Sequence, residues 1–369
     1  MKPSRAPAVV GALGVCGLGA ALAAIALLAS RQRPIDLFYE QMADRKILPG
    51  CAEIHCFRVL VPWAVGLVPL PSFFKWKAYA VMCNAAAAIS VSELSLALGL
   101  SSSAALVALT MSAFGFGSLY TLFDPFTSDP VMFWLAPVVT RWLLEDRMRR
   151  AALVTCVSVF AKEFVVIVVA MFAVWAALWQ RQWRTAAVAV ATAGAATLVW
   201  ATLHLALMRV FGYSYGPNRS ADLLSGSYLV IWLSGLPSST ALAVLFGEFG
   251  ALYLLIPFGW FSAPRVLRQL SLAALPFAAF LAYVEQPDRA LWNFHFLASP
   301  LAAIVLQDAR PLVRWAFVAV YAIANLRIGA QIPFVPPARF TVPLSVALAL
   351  IAVASHLRRP RPDVSACAC

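Results

Sequence analysis

Three carboxylates lie at helical spacing in a polar segment near the N-terminus. Asp36, Glu40 and Asp44 occupy positions i, i+4 and i+8, so a helix through them would carry all three on one face. Carboxylates can accept a proton from a substrate hydroxyl. Three acids on one face are also typical of a solvated helix, and an acid near a helix N-terminus is favoured by the helix dipole. The surrounding elements must decide between these interpretations.

Other charged and polar residues lie in short breaks between apolar runs. Lys162 and Glu163 are adjacent, and they could contact a ligand or simply close a helical hairpin as a charge pair. Asp129 stands in Thr-Ser-Asp-Pro, where it could contact a ligand or mark a turn. A polar segment over 285–295 contains Arg289 and His295, and it could be a binding segment or an ordinary solvated turn.

The composition places these residues in a membrane protein. Of 369 residues, 62% are hydrophobic and 12% are charged, whereas soluble domains carry about 25% charged residues. This composition excludes a soluble globular enzyme, a disordered chain and a coiled coil, and it is typical of a multi-pass membrane protein.

Hydropathy predicts an all-α polytopic protein with about 12 transmembrane or half-depth helices. The apolar runs cover 9–29, 76–98, 104–122, 131–145, 150–162, 164–180, 185–211, 246–262, 269–284, 292–308, 313–328 and 342–357. Several are shorter than the roughly 20 residues that cross a bilayer. Such short runs predict tilted or broken helices that pack within the protein.

The positions of Lys and Arg predict the orientation. With the N-terminus in the cytoplasm, the arginine-rich connections fall inside, and the C-terminal tail is also cytoplasmic. This pattern requires 150–180 to form two segments, which places Lys162 and Glu163 at an outer tip. The net charge of +12 is then mostly a positive-inside signature, and no nucleic-acid partner is expected. The two long outer segments are 31–75 and 212–245, within one integral membrane domain over 1–369.

The first outer segment is predicted to fold into two short helices on the membrane surface. Pro34 suits a first helical turn, Pro49-Gly50 is expected to end that helix, and an amphipathic run over 59–70 forms the second. Cys51 and Cys56 lie between the helices, and they are either a disulfide or two free thiols. The second outer segment is expected to carry a surface helix over 228–245.

The spacing of residues in the first half of the chain resembles the GT-C superfamily, whose members are polytopic glycosyltransferases that use polyprenyl-phosphate sugars. The first outer segment carries a pattern of this kind at Asp36, Tyr39, Ala43, Gly50, Arg58, Leu60, Pro62 and Trp63. A second stretch is similar to one common in bacterial members, at Asp129, Arg147, Lys162 and Glu163. The later helices match in number and hydropathy only.

The resemblance implies a transfer reaction on the outer side of a bacterial inner membrane. A polyprenyl-phosphate-linked sugar would be the donor, a lipid, glycan or protein hydroxyl the acceptor, and membrane lipids the surroundings. Bacterial mannosyltransferase-like members are the most similar, which implies transfer of a hexose, with mannose as one candidate, and inversion at the anomeric carbon. The resemblance makes Asp36 the expected general base, with Glu40 as the second candidate.

The same resemblance implies which residues contact the substrates. Lys162, Arg289 and Arg339 stand on outer tips where a leaving phosphate needs cations. The remaining candidates for substrate binding come from the matched segments and the polar segment over 285–295, and they are Tyr39, Arg58, Asp129, Glu163 and His295. No cofactor is expected; Asp-x-Asp spacing is absent, which argues against an obligatory metal without excluding a divalent ion.

Two other functions fit a multi-pass protein. A transporter or lipid flippase would suit the helix count, but it usually shows a repeat between two halves, and none is visible. A non-catalytic assembly factor is the third alternative. Within the apolar runs, Glu93 is expected to be a helix contact and His204 a hydrogen-bonded core histidine.

Overall fold

The computed structural model describes residues 11–29, 37–215, 249–284, 291–326, 335–336 and 338–359. Among the sequence-based predictions, those that concern Asp36, Arg289 and the surface helix over 228–245 lie outside these residues.

The described part of the chain is helical. Its elements are α1 (Ala12–Ala29), α2 (Phe38–Arg45), a 3-10 helix (Ile54–Phe57), α3 (Leu60–Val65), α4 (Ser72–Ala97), α5 (Ser102–Ala113), α6 (Phe116–Phe123), α7 (Asp129–Leu144), α8 (Met148–Ser158), α9 (Phe164–Leu178), α10 (Trp183–Phe211), α11 (Leu252–Ser262), α12 (Arg265–Val284), α13 (His295–Leu306), α14 (Pro311–Leu326) and α15 (Ala338–Leu357).

Each predicted apolar run coincides with one or two of these helices. The run over 104–122 is divided, because α5 ends at Ala113 and α6 begins at Phe116. By length and composition, five stretches of the described residues can cross a membrane: Ala12–Ala29, Ser72–Ala97, Ser102–Phe123, Trp183–Phe211 and Arg339–Leu357. The protein is therefore a helical membrane protein, as predicted, but the predicted number of about 12 transmembrane or half-depth helices is not confirmed.

The connections between helices gather at two ends of the bundle. We call one the loop end; with the adjoining helix ends it contains residues 37–77, 124–129, 159–163 and 212–215. Hydrogen bonds from Leu60 N to Phe160 O (2.9 Å) and from Gly50 N to Phe211 O (2.7 Å) hold these connections together. We call the other the basic end; with the adjoining helix ends it contains residues 93–101, 145–150, 179–184, 263–268, 307–314 and 356–359.

The turn between α8 and α9 follows the sequence-based prediction that 150–180 forms two segments. α8 ends at Ser158 and α9 begins at Phe164, so Lys162 and Glu163 lie in the turn at the loop end. Every residue of α13 is buried, and this helix packs between α5 and α11. Other parts of the protein thus surround α13, which lies at the centre of the bundle.

The break between α5 and α6 receives the side chain of Trp292. The indole is almost fully buried, and a Cβ built on Gly115 or Gly117 would lie 1.8 or 2.0 Å from an atom of Trp292. Only glycine leaves room for the ring at these two positions. The glycine pair thus explains why one apolar run forms two helices, since the broken helix opens a notch for an aromatic side chain.

Replacement of Gly117 by alanine is expected to destabilise the protein by about 1–3 kcal/mol, because the new methyl group overlaps the buried indole. The control is Gly194→Ala in α10, where nothing lies within 4 Å of an added Cβ. That change should be neutral or stabilising, since alanine favours helix over glycine. Thermal unfolding midpoints in detergent measure both, and equal midpoints for the two variants would contradict the packing argument.

Candidate functional site

Tyr39 on α2 is tied to the start of α7. Its hydroxyl lies 3.0 Å from the Ser128 hydroxyl, in a buried hydrogen bond that joins two segments 89 residues apart. Tyr39, Met42 and Ala43 are buried on one face of α2, which packs against α3. The first outer segment is therefore fixed to the bundle through the face of α2 that carries Tyr39.

The end of α2 differs from the sequence-based prediction. Pro49-Gly50 was expected to end this helix, but α2 ends at Arg45. Lys46 adopts a φ of 69°, its N–H reaches the Met42 carbonyl, and its ammonium donates to the Ala43 carbonyl at 3.0 Å. Lys46 thus satisfies carbonyls in the last turn of α2, and the helix ends before Pro49.

Asp129 and Lys162 form a buried ion pair at the centre of the loop end. Asp129 is the first residue of α7, where a negative charge is favoured by the helix dipole. Its Oδ1 accepts a hydrogen bond of 2.8 Å from the Lys162 ammonium. The two side chains are only 10% and 7% exposed. The sequence separately singled out both residues, and the fold brings them into contact.

A second ion pair lies beside the first. Arg58, which follows the 3-10 helix, is buried, and its guanidinium lies 3.5 Å from a carboxylate oxygen of Glu163. Burial alone would raise the pKa of Glu163, but the positive charges of Arg58 and Lys162 outweigh burial and hold this pKa below its ordinary value. Glu163 is thus kept ionised, and the first outer segment is held to the turn between α8 and α9.

Aromatic side chains at the start of α4 form one wall of this cluster. Trp76 is fully buried, and its ring centroid lies 6.0 Å from that of Tyr39 and 5.4 Å from that of Phe126. Tyr79 packs edge-on against Trp76, with centroids 5.8 Å apart. Sequence reasoning missed these residues and Ser128, because aromatic and hydroxyl side chains in or beside an apolar run carry no charge pattern that marks a site.

His295 lies deeper in the bundle than the two ion pairs. It is fully buried at the first position of α13, and its ring centroid lies 5.5 Å from that of Phe133, one turn after Asp129 on α7. Its Nδ1 is 3.1 Å from the Trp292 carbonyl, whereas Nε2 has no hydrogen-bond partner within the described residues. The structure thus makes His295 part of the core below the cluster, and solvent does not reach it.

The other predicted site residues are placed less centrally. Glu40 is half-buried in the first turn of α2. Arg339 is exposed near the start of α15, with its guanidinium 5.0 Å from the centroid of the Phe340 ring. No contact between Arg339 and the two ion pairs is seen among the described residues.

Cys51 and Cys56 form a disulfide in the first outer segment. The loop that it closes docks on the end of α10, where Ser214 N donates to the Cys51 carbonyl at 3.0 Å. Phe57 stacks on the ring of His204 with centroids 4.5 Å apart. The disulfide thus closes the loop directly before Arg58.

Two polar residues within the apolar runs behave as helix contacts. Glu93 pairs with Arg141 of α7 toward the basic end. His204 Nδ1 lies 2.8 Å from the carbonyl of Trp200, one turn earlier in α10. His204 also lies close enough to Glu163 and Arg58 to interact with their charges.

Comparison with known proteins supports the fold. No protein-family model matches the chain, and no curated protein matches its sequence. Among solved structures, the chain is similar to the apo oligosaccharyltransferase of Archaeoglobus fulgidus, with 13% identity and a TM-score of 0.50 over 96% of this chain and 57% of that one. This likeness shows that the two proteins share a fold over the matched region. The chain spans little more than half the length of the archaeal protein.

Removal of the disulfide by the double change Cys51→Ser and Cys56→Ser is expected to lower the free energy of unfolding by about 2 kcal/mol, because the closed loop is short. Non-reducing peptide mapping should recover Cys51 and Cys56 in one cross-linked peptide. Cys83, which is a buried free thiol, serves as the control and should be alkylated in unfolded protein without reductant. Alkylation of Cys51 and Cys56 under the same conditions would contradict the pairing.

Proposed function

We propose that the protein is a membrane glycosyltransferase that moves a sugar from a polyprenyl-phosphate donor to an acceptor hydroxyl. The observation that carries this proposal is the convergence of Tyr39, Arg58, Asp129, Lys162 and Glu163 at the loop end. These residues come from three separate segments of the chain, yet contacts between α2, α7 and the turn after α8 join them. The GT-C-like fold supports a glycosyltransferase class of enzyme.

The loop end is proposed to face away from the cytoplasm. The connections at the opposite end carry most of the arginines that interrupt the apolar runs, and such residues remain on the cytoplasmic side of bacterial membranes. Both termini are then cytoplasmic, in the plasma membrane of a bacterium. The Cys51–Cys56 disulfide supports this orientation, since disulfides persist in oxidising compartments.

Asp36 is proposed as the general base. It lies outside the described residues but only three positions before Tyr39, which is tied to Ser128 at the centre of the loop end. The acceptor hydroxyl gives its proton to the Asp36 carboxylate, and its oxygen bonds to the anomeric carbon as the bond to the lipid phosphate breaks. Attack opposite the leaving group inverts the anomeric configuration. A phosphate leaves readily, so one carboxylate suffices, with Glu40 as the second candidate.

The leaving phosphate is proposed to bind Lys162 and Arg58 at the loop end. Charge builds on the phosphate oxygens as the sugar departs, and cations held in a dry setting stabilise that charge most strongly. Lys162 and Arg58 are buried and held in place by their acid partners. Arg289, which lies outside the described residues, and Arg339 are proposed to contact the lipid phosphate further from the reacting carbon.

The sugar is proposed to lie beside Tyr39 and the start of α7. Carboxylate and hydroxyl groups of Asp129, Glu163 and Tyr39 are suited to hydrogen bonds with sugar hydroxyls. His295, which the sequence suggested as a substrate contact, is fully buried below this region, and it is proposed instead to support α7 through its ring contact with Phe133. The transferred group is proposed to be a hexose, mannose in the first instance, and the acceptor a lipid, a glycan or a protein.

The change Asp36→Asn is expected to reduce the rate of transfer by about 100-fold or more, because the amide cannot take the acceptor proton. The measurement is transfer of labelled sugar from a polyprenyl-phosphate donor in reconstituted membranes.

The matched control is Asp44→Asn. Asp44 lies in α2, and its largely exposed carboxylate is 3.3 Å from the Lys75 ammonium. This variant should retain most of the transfer rate. Undiminished transfer by Asp36→Asn would overturn the base assignment, whereas counterflow of labelled lipid without covalent transfer would favour a flippase.

A further inference from the structure

Three acids at the loop end are each paired with a base. Three such pairs occur in the described part of the chain, and the shortest is the one that lies deepest in the protein. They are Asp129 with Lys162 at 2.8 Å, Asp44 with Lys75 at 3.3 Å and Glu163 with Arg58 at 3.5 Å.

This arrangement does not fit a divalent metal. Magnesium and manganese ions bind several oxygen ligands in octahedral geometry, and carboxylates are the usual protein donors. Within the described ranges, no group of three His, Cys, Asp or Glu residues could hold such an ion. Asp129, the most central acid, already carries the Lys162 ammonium on Oδ1. A divalent ion beside Asp129 would therefore have to displace or closely approach another positive charge.

We infer that the Lys162 ammonium supplies, from the chain itself, the positive charge that a divalent cation would otherwise supply, and that transfer is independent of added metal. This inference rests on the proposed glycosyltransferase activity. An ammonium carries three N–H donors, so it can hold Asp129 and still donate to another oxygen. In a water-poor setting, one fixed cation stabilises developing phosphate charge far better than it would in solvent.

Asp129 acts in this arrangement as a positioning residue. A lysine side chain has four flexible methylene groups, and its ammonium is fixed only when a partner holds it. The first turn of α7 fixes the backbone of Asp129, and the hydrogen bond of 2.8 Å transmits that position to Lys162. Ser128 directly precedes Asp129, and the hydrogen bond between the hydroxyls of Tyr39 and Ser128 helps to fix the backbone at this point.

The first experiment measures transfer by the wild-type protein in nanodiscs with EDTA, with magnesium and with manganese. We expect initial rates within twofold of one another. A rate that EDTA abolishes and a divalent ion restores would overturn the inference while leaving the proposed glycosyltransferase activity intact.

The second experiment replaces the lysine. Lys162→Met should lower the rate at least about 100-fold, with no recovery in manganese. Lys162→Arg should retain more activity than Lys162→Met because it keeps the charge. The matched control is Lys75→Met, which breaks the more exposed pair with Asp44 and should keep most of the wild-type rate.

A double variant separates chemistry from folding. Lys162→Met leaves Asp129 buried with its ammonium partner removed, and the single variant could fail to fold for that reason alone. The double change Asp129→Asn with Lys162→Met removes both charges, so its thermal midpoint should lie above that of the single variant. Its transfer rate should remain as low as that of Lys162→Met; wild-type transfer by a folded double variant would overturn the role of Lys162.

Manganese binding tests the inference even if no transfer is found. Manganese is added to metal-free wild-type protein, with both at micromolar concentration. Electron paramagnetic resonance should then show only the spectrum of the free ion. Binding of one manganese per protein that Asp129→Asn abolishes would overturn the inference. Absence of transfer with every donor tried would instead argue against the proposed function, and the absence of manganese binding would still support the charge arrangement.

Discussion

The ion pair between Asp129 and Lys162 is the contact on which the rest of the loop end depends. Both side chains are nearly excluded from solvent, and removal of one partner from such a pair leaves a buried charge at a cost of about 3–5 kcal/mol. The pair therefore requires α7 to begin where the turn between α8 and α9 ends. Tyr39 contacts Ser128 and Arg58 contacts Glu163, and these two contacts attach the segment from α2 to α3 to the ion pair. One buried contact thus sets the positions of three loops.

The helices below supply the rigidity that this contact requires. α4 packs against both α5 and α7, and its Trp76 fills the space between Tyr39 and Phe126. The notch at Gly115 and Gly117 admits Trp292, whose ring lies parallel to that of His295. Close packing of aromatic rings leaves little freedom for the backbone above them. Buried aromatic side chains, including Trp76 and Trp292, therefore support the ion pairs of the loop end from within the bundle.

The sequence predicted much of this arrangement, because its strongest signals are charges that interrupt apolar runs. Lys162 and Glu163 could not lie within lipid, so a turn at their position followed from charge alone. The contact of Lys162 with Asp129 could not be predicted, since nothing in a single sequence states which interruptions meet in space. The Trp292 notch was also missed, because glycine and tryptophan in apolar runs look the same whether they pack together or face lipid.

Charge is used differently at the two ends of the bundle. At the loop end, Asp44, Asp129 and Glu163 each pair with a base, so these charges cancel within the region. At the basic end, acids such as Glu93 and Asp308 also pair with cations, but further arginines remain exposed to solvent, among them Arg149 and Arg150. An excess of positive charge is what orients a helix during insertion. The arginines proposed to orient the protein in the membrane and the charges proposed to act on substrate therefore lie at opposite ends of the bundle.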